Sequence, residues 1–333
     1  MSCNYPMLFT FDGERTVNGK PNWKYKGKWT DDVEFEYLRN PIAPSFMKKV
    51  PCGQCMACRL EKSRQWADRM ILELGYHEES YFITLTYDSD HIPVSYPSDE
   101  NGAALLENPV FTLVKKDFQD FMKRLRFYQG DNKSRFYGCG EYGLSTFRPH
   151  YHAIIFGLHL DDLQPFGKNE LGQQYYLSEK LSQIWGKGFV SVGEVNWETC
   201  AYVARYVTKK LTGSLSGIYD FTGTEPEFSL MSRRPGIAWQ YFDDHKDEIY
   251  KYNTINVQME KSGRSIRSPR YYDKLFDLYS PDDFRDIKIQ RQANVWHADR
   301  IRNSLSDLEF EERSVILDRS VNSRVNKLRR SLD

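Results

Sequence analysis

The sequence predicts an α+β protein built around a β-α-β-β-α-β, ferredoxin-like arrangement with an antiparallel sheet. Three observations carry that prediction. Between residues 81 and 195, short runs rich in β-branched and aromatic residues alternate with segments whose apolar residues recur at helical spacing. Their order is strand, helix, strand, strand, helix, strand. A short turn alone separates the two middle strands, which makes them a hairpin.

The elements follow in order. "YFITLTYD" (81–88) is the first strand, and a polar loop continues to about 110. "LVKKDFQDFMKRLRFY" places Val114, Phe118, Phe121, Met122 and Leu125 on one helical face, with basic residues elsewhere on the cylinder. "SRFYGCGEYG" and "RPHYHAIIFG" are the hairpin strands, turning at "LSTF". "LSEKLSQIW" repeats apolar residues at 177, 181, 184 and 185 and reads as a helix, and "GFVSVGEV" closes the motif as a strand. "NWETCAYVARYVTKKL" is a further helix, with Asn196 as N-cap and Glu198 near the positive end of its dipole. The motif makes its first and third strands central neighbours, setting "FITLTY" beside "PHYHAIIF". Its open sheet face is one that many nucleic-acid binders use.

Outside this region, residues 1–50 read as an irregular segment rich in Pro, Gly and aromatics. "CGQCMACRLEKSRQWADRMILEL" begins a helix, the stretch beyond 211 reads as a Gly/Ser/Thr-rich loop, and the chain turns charged and helical from about 281. The expected division is an N-terminal segment 1–50, a core domain 51–245 and a largely helical extension 246–333. The chain has 333 residues, 40% of them hydrophobic and 15% aromatic, a globular composition. Formal net charge is zero, so no global field announces a polyanionic partner. Local bias exists, since residues 113–135 hold seven Lys and Arg against three Asp. No secretory signal pattern or apolar membrane span stands out, so a soluble, cytosolic protein is expected. In that compartment six cysteines suit thiols or metal ligands better than disulfides.

Four groups of residues could carry chemistry. His150 and His152 share one face of a strand, with Tyr151 on the other, and two imidazoles at that spacing can chelate one metal ion. They can equally be hydrogen-bonded strand histidines. The turn centres near Thr146, which puts Glu141 across the hairpin and adds a carboxylate. Such a nitrogen and oxygen set tolerates Mg²⁺ or Mn²⁺ and also takes Zn²⁺. Tyr202 and Tyr206 are four apart, so a helix presents both phenols on one face, with Lys209 and Lys210 following. Either these tyrosines pack an amphipathic helix on the sheet or they are nucleophiles. A phenol pKa near 10 is a handicap that a nearby lysine or metal offsets. Cys52, Cys55 and Cys58 follow one another at two-residue gaps, with distant Cys3 as candidate fourth ligand. A structural Zn²⁺ site and a set of reduced, buried thiols both fit them. Cys139 and Cys200 read as small core residues. In "MSRRPG", Arg233 and Arg234 suit a phosphate or base edge, or a solvated basic loop.

"ITLTY", "CGEYG…RPHYHAIIF" and "YVARYVTKK", in that order, resemble the three motifs of rolling-circle replication initiators, the HUH endonucleases. The likeness extends to the replication initiators of gokushoviruses, single-stranded DNA phages of the microvirus family, which "PCGQCMACRLEKSRQWADR" and "EFSLMSRRPGI" also resemble. It runs from about 50 to 240. The resemblance implies an HUH core followed by a nucleophile helix. His150 and His152 match the metal-binding histidines, with Tyr151 as the hydrophobic residue between them, and Tyr202 and Tyr206 match the paired nucleophiles. Glu141 as third ligand rests on the hairpin argument. Thr84 and Thr86, which share a face of the first strand, either contact the DNA backbone or are structural. The implied activity is metal-dependent nicking and rejoining of single-stranded origin DNA through a 5′-phosphotyrosine. The implied setting is the cytoplasm of a bacterial host, whose helicase and polymerase extend the freed 3′-hydroxyl, with no membrane partner. Tyr206, nearer Lys209 and Lys210, is favoured as first nucleophile. Two rivals remain: a non-catalytic, zinc-containing nucleic-acid-binding protein, and a metal-dependent phosphoesterase that uses activated water.

Overall fold

The computed structural model describes residues 3–99, 101–143, 145–168, 172–206, 216–258 and 263–327. By internal contacts the chain divides near 61/62 and 267/268, rather than at 50 and 245. The described residues up to 61 and those from 268 onward form one compact unit, and 62–267 form the other.

The first unit begins with β1 (Met7–Thr10), β2 (Lys24–Lys28), α1 (Asp31–Arg39), α2 (Ala43–Phe46) and β3 (Met47–Val50). The strands make an antiparallel sheet in the order β2-β1-β3. This corrects the expectation of irregular structure over 1–50. All four positions of β1 are half-buried, so the apolar/polar alternation that announces a strand is missing. Helix α3 (Met56–Leu74) follows, with its first turns in this unit and the rest in the second.

The second unit contains β4 (Ser80–Tyr87), β5 (Val94–Ser95), β6 (Val110–Phe111), α4 (Lys115–Gln129), β7 (Arg135–Tyr142), β8 (Pro149–Phe156), β9 (Gln164–Lys168), β10 (Gln174–Leu177), α5 (Glu179–Trp185), β11 (Gly188–Glu194) and α6 (Trp197–Arg205). After these come α7 (Gly217–Thr222), β12 (Phe228–Met231), α8 (Trp239–Tyr252), β13 (Ile255–Gln258) and β14 (Gly263–Ile266). Seven strands form one antiparallel sheet in the order β12-β7-β8-β4-β11-β10-β9. Its middle is β7-β8-β4-β11, with the first and third strands of the motif as neighbours. The edges are additions: β9 and β10 beyond β11, and β12, from a stretch read as loop, beyond β7.

One sheet face carries Leu85, Tyr87, Tyr151, Ala153, Ile155, Val190 and Val192 against Phe118, Phe121, Met122 and Leu125 of α4 and Leu181 and Trp185 of α5. Gly138 is forced by this packing, since a Cβ there would lie 2.4 Å from Cζ of Phe118. Buried phenols on this side are satisfied, the Tyr87 hydroxyl reaching both Tyr151 and Asp117 at 2.7 Å. The opposite face was expected to be open. It is partly covered, by Trp66 of α3, whose ring lies 4.9 Å from that of Tyr137, and by α6 over β8. The apolar side chains of Phe82, Tyr137 and Ile154 on that face require such a cover.

Glu73, near the end of α3, ties this unit together. Its carboxylate accepts from the Arg135 guanidinium on β7 and from the Ala238 backbone N–H before α8, and lies 3.0 Å from Nε2 of His77. Burial alone would raise its pKa, but the bonds from His77 and Ala238 and the Arg135 charge outweigh burial and lower it. Glu73→Ala should cost about 3 kcal/mol in urea unfolding at pH 7, because it strands a buried guanidinium. The folded-state pKa is depressed, so the contribution is complete above about pH 4.5 and lost as pH falls through the lower folded value. The variant and wild-type stability curves should therefore converge in acid.

The chain ends, in the first unit, with α9 (Arg270–Tyr279), α10 (Pro281–Ser304) and α11 (Phe310–Asn326). Trp296 joins Trp29, Tyr37, Leu38, Ala43 and Met47 in the core of that unit. Buried Lys49 sits between Glu34 at 2.6 Å and Asp299 at 3.1 Å.

Candidate metal and nucleophile site

Strand register builds the site. In the β7–β8 ladder Glu141 lies opposite His150 and Cys139 opposite His152, while on β4 Thr86 pairs with His150 and Thr84 with His152. Cross-strand partners share a face, so all of these point away from α4 and α5. Oε1 of Glu141 lies 2.7 Å from Nε2 of His150 and 3.0 Å from Nε2 of His152. One donor atom from each residue thus falls within 4.8 Å of the others.

The chemistry of these donors fits a cation. Nδ1 of His150 is 3.1 Å from the carbonyl oxygen of Arg148, which can only accept, so Nδ1 carries the proton. The neutral ring then aims its Nε2 lone pair at a carboxylate oxygen. An imidazolium proton or a metal ion between them removes that conflict. Nδ1 of His152 is held by the Thr84 hydroxyl at 2.9 Å, which fixes the ring. Burial would raise the pKa of Glu141, yet its bonds to the two histidines and their charge hold it well below the usual carboxylate range. The carboxylate is therefore an anion at neutral pH, as a ligand must be.

Helix α6 delivers the phenols. Asn196 caps it by accepting from the Thr199 N–H at 2.8 Å, and Thr199 Oγ1 accepts from the Asn196 N–H at 2.9 Å, a reciprocal pair that fixes the helix start. Tyr202 lies in the last turn and Tyr206 at the C-cap. The Tyr206 ring stacks on His152 at 5.2 Å, and Tyr202 meets the same imidazole edge-on at 5.3 Å. The two tyrosine rings are 5.0 Å apart. Both side chains are buried. Burial first, then the Glu141 charge and Tyr202, push the Tyr206 phenol well above its ordinary pKa, so it is neutral at pH 7.

The other site candidates divide. Thr84 is buried on His152, and Thr86 is half-buried in line with His150. Lys209 and Lys210 lie outside the described residues. Arg233 and Arg234 are exposed in the turn after β12. The neighbouring Ser232 N–H donates to the carbonyl of Phe136, five residues before Glu141, or about 17 Å along the strand, so the structure does not bring these arginines to the site. Cys3, Cys52, Cys55 and Cys58 converge in the first unit. Cys139 and Cys200 are buried core residues.

Two neighbours were not singled out from the sequence. The Arg205 guanidinium sits 5.9 Å from the Tyr202 ring centre, and its place three residues after one tyrosine and next to the other was the available signal. Phe189 on β11 is in register with Thr86, and thereby with His150, about 10 Å away on the same face. It is 70% exposed although it lies inside a strand.

Comparison with known proteins accounts for this constellation. Residues 80–211 match a family of replication-associated proteins described by the name ORF2, a span that holds Glu141, both histidines and both tyrosines. The chain is 32% identical over 271 residues to the replication-associated protein ORF2 of Spiroplasma virus 4, covering 80% of this chain and 78% of that protein. The chain belongs to the gokushovirus-type replication-associated proteins. This Rep is also 29% identical over 252 residues to the replication-associated protein VP4 of Bdellovibrio phage phiMH2K, covering 73% of each. It is 30% identical over 252 residues to the replication-associated protein ORF4 of Chlamydia phage 1, covering 73% of this chain and 57% of that one. No solved structure matches the Rep chain. Among its described residues, no helix is long and apolar enough to cross a membrane.

Proposed function

We propose that this Rep is an HUH-type, metal-dependent nickase and strand transferase that opens rolling-circle replication on single-stranded origin DNA. The observation that carries the reading is the meeting of two opposed elements at one point. A hairpin supplies two imidazole Nε2 atoms and a carboxylate, and α6 sets two tyrosines against the same imidazole.

His150, His152 and Glu141 would hold Mg²⁺ or Mn²⁺, which suits a mixed nitrogen and oxygen set with open positions. When bound, the ion polarises the scissile phosphate and lowers the cost of charge on the oxygens around it. The residues of the chain do the rest. One tyrosine oxygen attacks phosphorus and loses its proton; the bond from phosphorus to the 3′-oxygen breaks, and that oxygen leaves as a hydroxyl. One phosphate ester replaces another, so no ATP is needed. The Arg205 charge beside Tyr202 favours a phenolate over a phenol. Phe189 offers an exposed ring on which a base flanking the phosphate can stack. The second tyrosine cleaves the regenerated origin, and the released hydroxyl closes the displaced circle. Host helicase and polymerase, in the bacterial cytoplasm, extend the primer.

The test is a denaturing gel of the protein with 5′- and 3′-labelled single-stranded origin DNA and Mg²⁺ or Mn²⁺. Label on the 3′ side of the nick should migrate with the protein, and the other fragment should end in a free 3′-hydroxyl. Cleavage with no covalent product would mean attack by water. Binding with neither would leave a nucleic-acid-binding protein.

A further inference from the structure

We propose that Cys3, Cys52, Cys55 and Cys58 hold one Zn²⁺ as a closed, structural tetrathiolate site, separate in chemistry from the nitrogen and oxygen site above. The sulfurs come from two distant stretches of chain. Pairing of β1 with β3, in which Met7 faces Val50, runs the residues before β1 alongside those after β3 and so brings Cys3 to Cys52. Gly53, at φ +76°, turns the chain so that Cys52 and Cys55 face the same point before α3 begins, and Cys58 lies in the first turn of that helix.

The spacing is that of a single tetrahedral ion. Sγ of Cys3 is 3.6 Å from Sγ of Cys52 and 3.9 Å from Sγ of Cys55, and all four sulfurs lie within 4.8 Å of one another. Four sulfurs about 2.3 Å from one zinc stand ~3.8 Å apart at the corners of a tetrahedron. A disulfide requires about 2.05 Å, and all six cysteines of the chain are free thiols. A polynuclear iron–sulfur cluster spreads its thiolates around several metal atoms and does not fit this spacing. Backbone amides already serve the sulfurs as they serve thiolates: the Cys52 N–H donates to Cys3 Sγ at 3.2 Å, and the Cys55 N–H to Cys52 Sγ at 3.4 Å. Soft thiolates select zinc over the magnesium or manganese that suits the other site. Four protein ligands leave no position for water or substrate, so the role is structural. Binding releases the thiol protons, and the ion fastens residue 3 to the head of α3.

The experiment uses full-length protein purified under reducing conditions without chelator, and reads metal content independently of nicking. Elemental analysis should find about one zinc per chain in wild type and in the His150→Ala/His152→Ala variant. A mercurial reagent should release that zinc into a chromogenic chelator as four thiols react. Cobalt-substituted wild type should show the visible bands of a tetrahedral ion with sulfur-to-cobalt charge transfer, a readout that needs no cysteine variant to fold. Cys55→Ser, where soluble, should lose zinc. Absence of zinc, its loss in the histidine variant, iron in its place, or release with fewer than four thiols would each overturn the proposal.

Discussion

Alanine at His150 or His152 should abolish the covalent adduct while single-stranded DNA binding stays within a few-fold of wild type. Even partners one shell beyond a metal typically cost about 10–100-fold, so losing a ligand should cost roughly 100-fold or more in nicking. Binding survives because it rests on many distributed phosphate contacts. The two variants should differ in stability. His150 is partly exposed, whereas His152 is fully buried, stacks with Phe82 and Tyr206, and leaves both a void and a half-served Glu141 when truncated. Circular dichroism alongside the nicking assay separates loss of ligand from loss of fold. Full nicking by the double variant, with divalent ions chelated, would remove the metal from the mechanism.

Tyr202→Phe/Tyr206→Phe should form no adduct, since phenylalanine keeps the rings packed on His152 and removes only the attacking oxygens. Each single variant should still nick a short oligonucleotide and fail to release unit circles, because termination needs a fresh phenol while the first is esterified. Their positions on α6 are unequal. Tyr206 caps the helix, where few backbone bonds restrain it, and Tyr202 is held within the last turn. Tyr206 is therefore expected to make the first cut. Both phenols are buried, so either must move outward to meet a phosphate, and the Tyr202→Phe enzyme should nick faster than Tyr206→Phe. Peptide mapping of the trapped adduct decides the matter; an adduct on Tyr142 or Tyr151 would reassign the nucleophile.

The centre of the fold was legible because its elements follow simple periods. β8 alternates His150 and His152 against Tyr151 and Ala153, and α4 repeats its apolar residues every three or four positions. Glu141 was legible too, since turn position fixes a hairpin's register. Elements at sheet edges were not. All five residues of β9 are exposed and carry no alternation, and β12 lies within a Gly- and Ser-rich stretch. The partners of site residues were equally hidden. Thr84 reaches His152 across a ladder 68 positions long in sequence, and Arg148 contributes a main-chain carbonyl that side-chain identity cannot reveal. The cover over the second sheet face depends on α3, whose Trp66 gives no sign of its target. Lys209 and Lys210, which suggested an aid to the nucleophiles, lie outside the described residues, while Arg205 stands beside them.

The pairing of Glu141 with His150 imposes a parity on how this hairpin can change through descent. Inserting or deleting one residue between Glu141 and the turn slides the ladder by one place and sets Glu141 opposite a side chain of the other face, such as Tyr151. Length changes confined to the tip, around residues 145–147, leave the ladder in step. Among relatives, loops of many lengths should therefore be found at that tip, whereas the two strand segments that flank it should keep their residue count even where little else about them is kept.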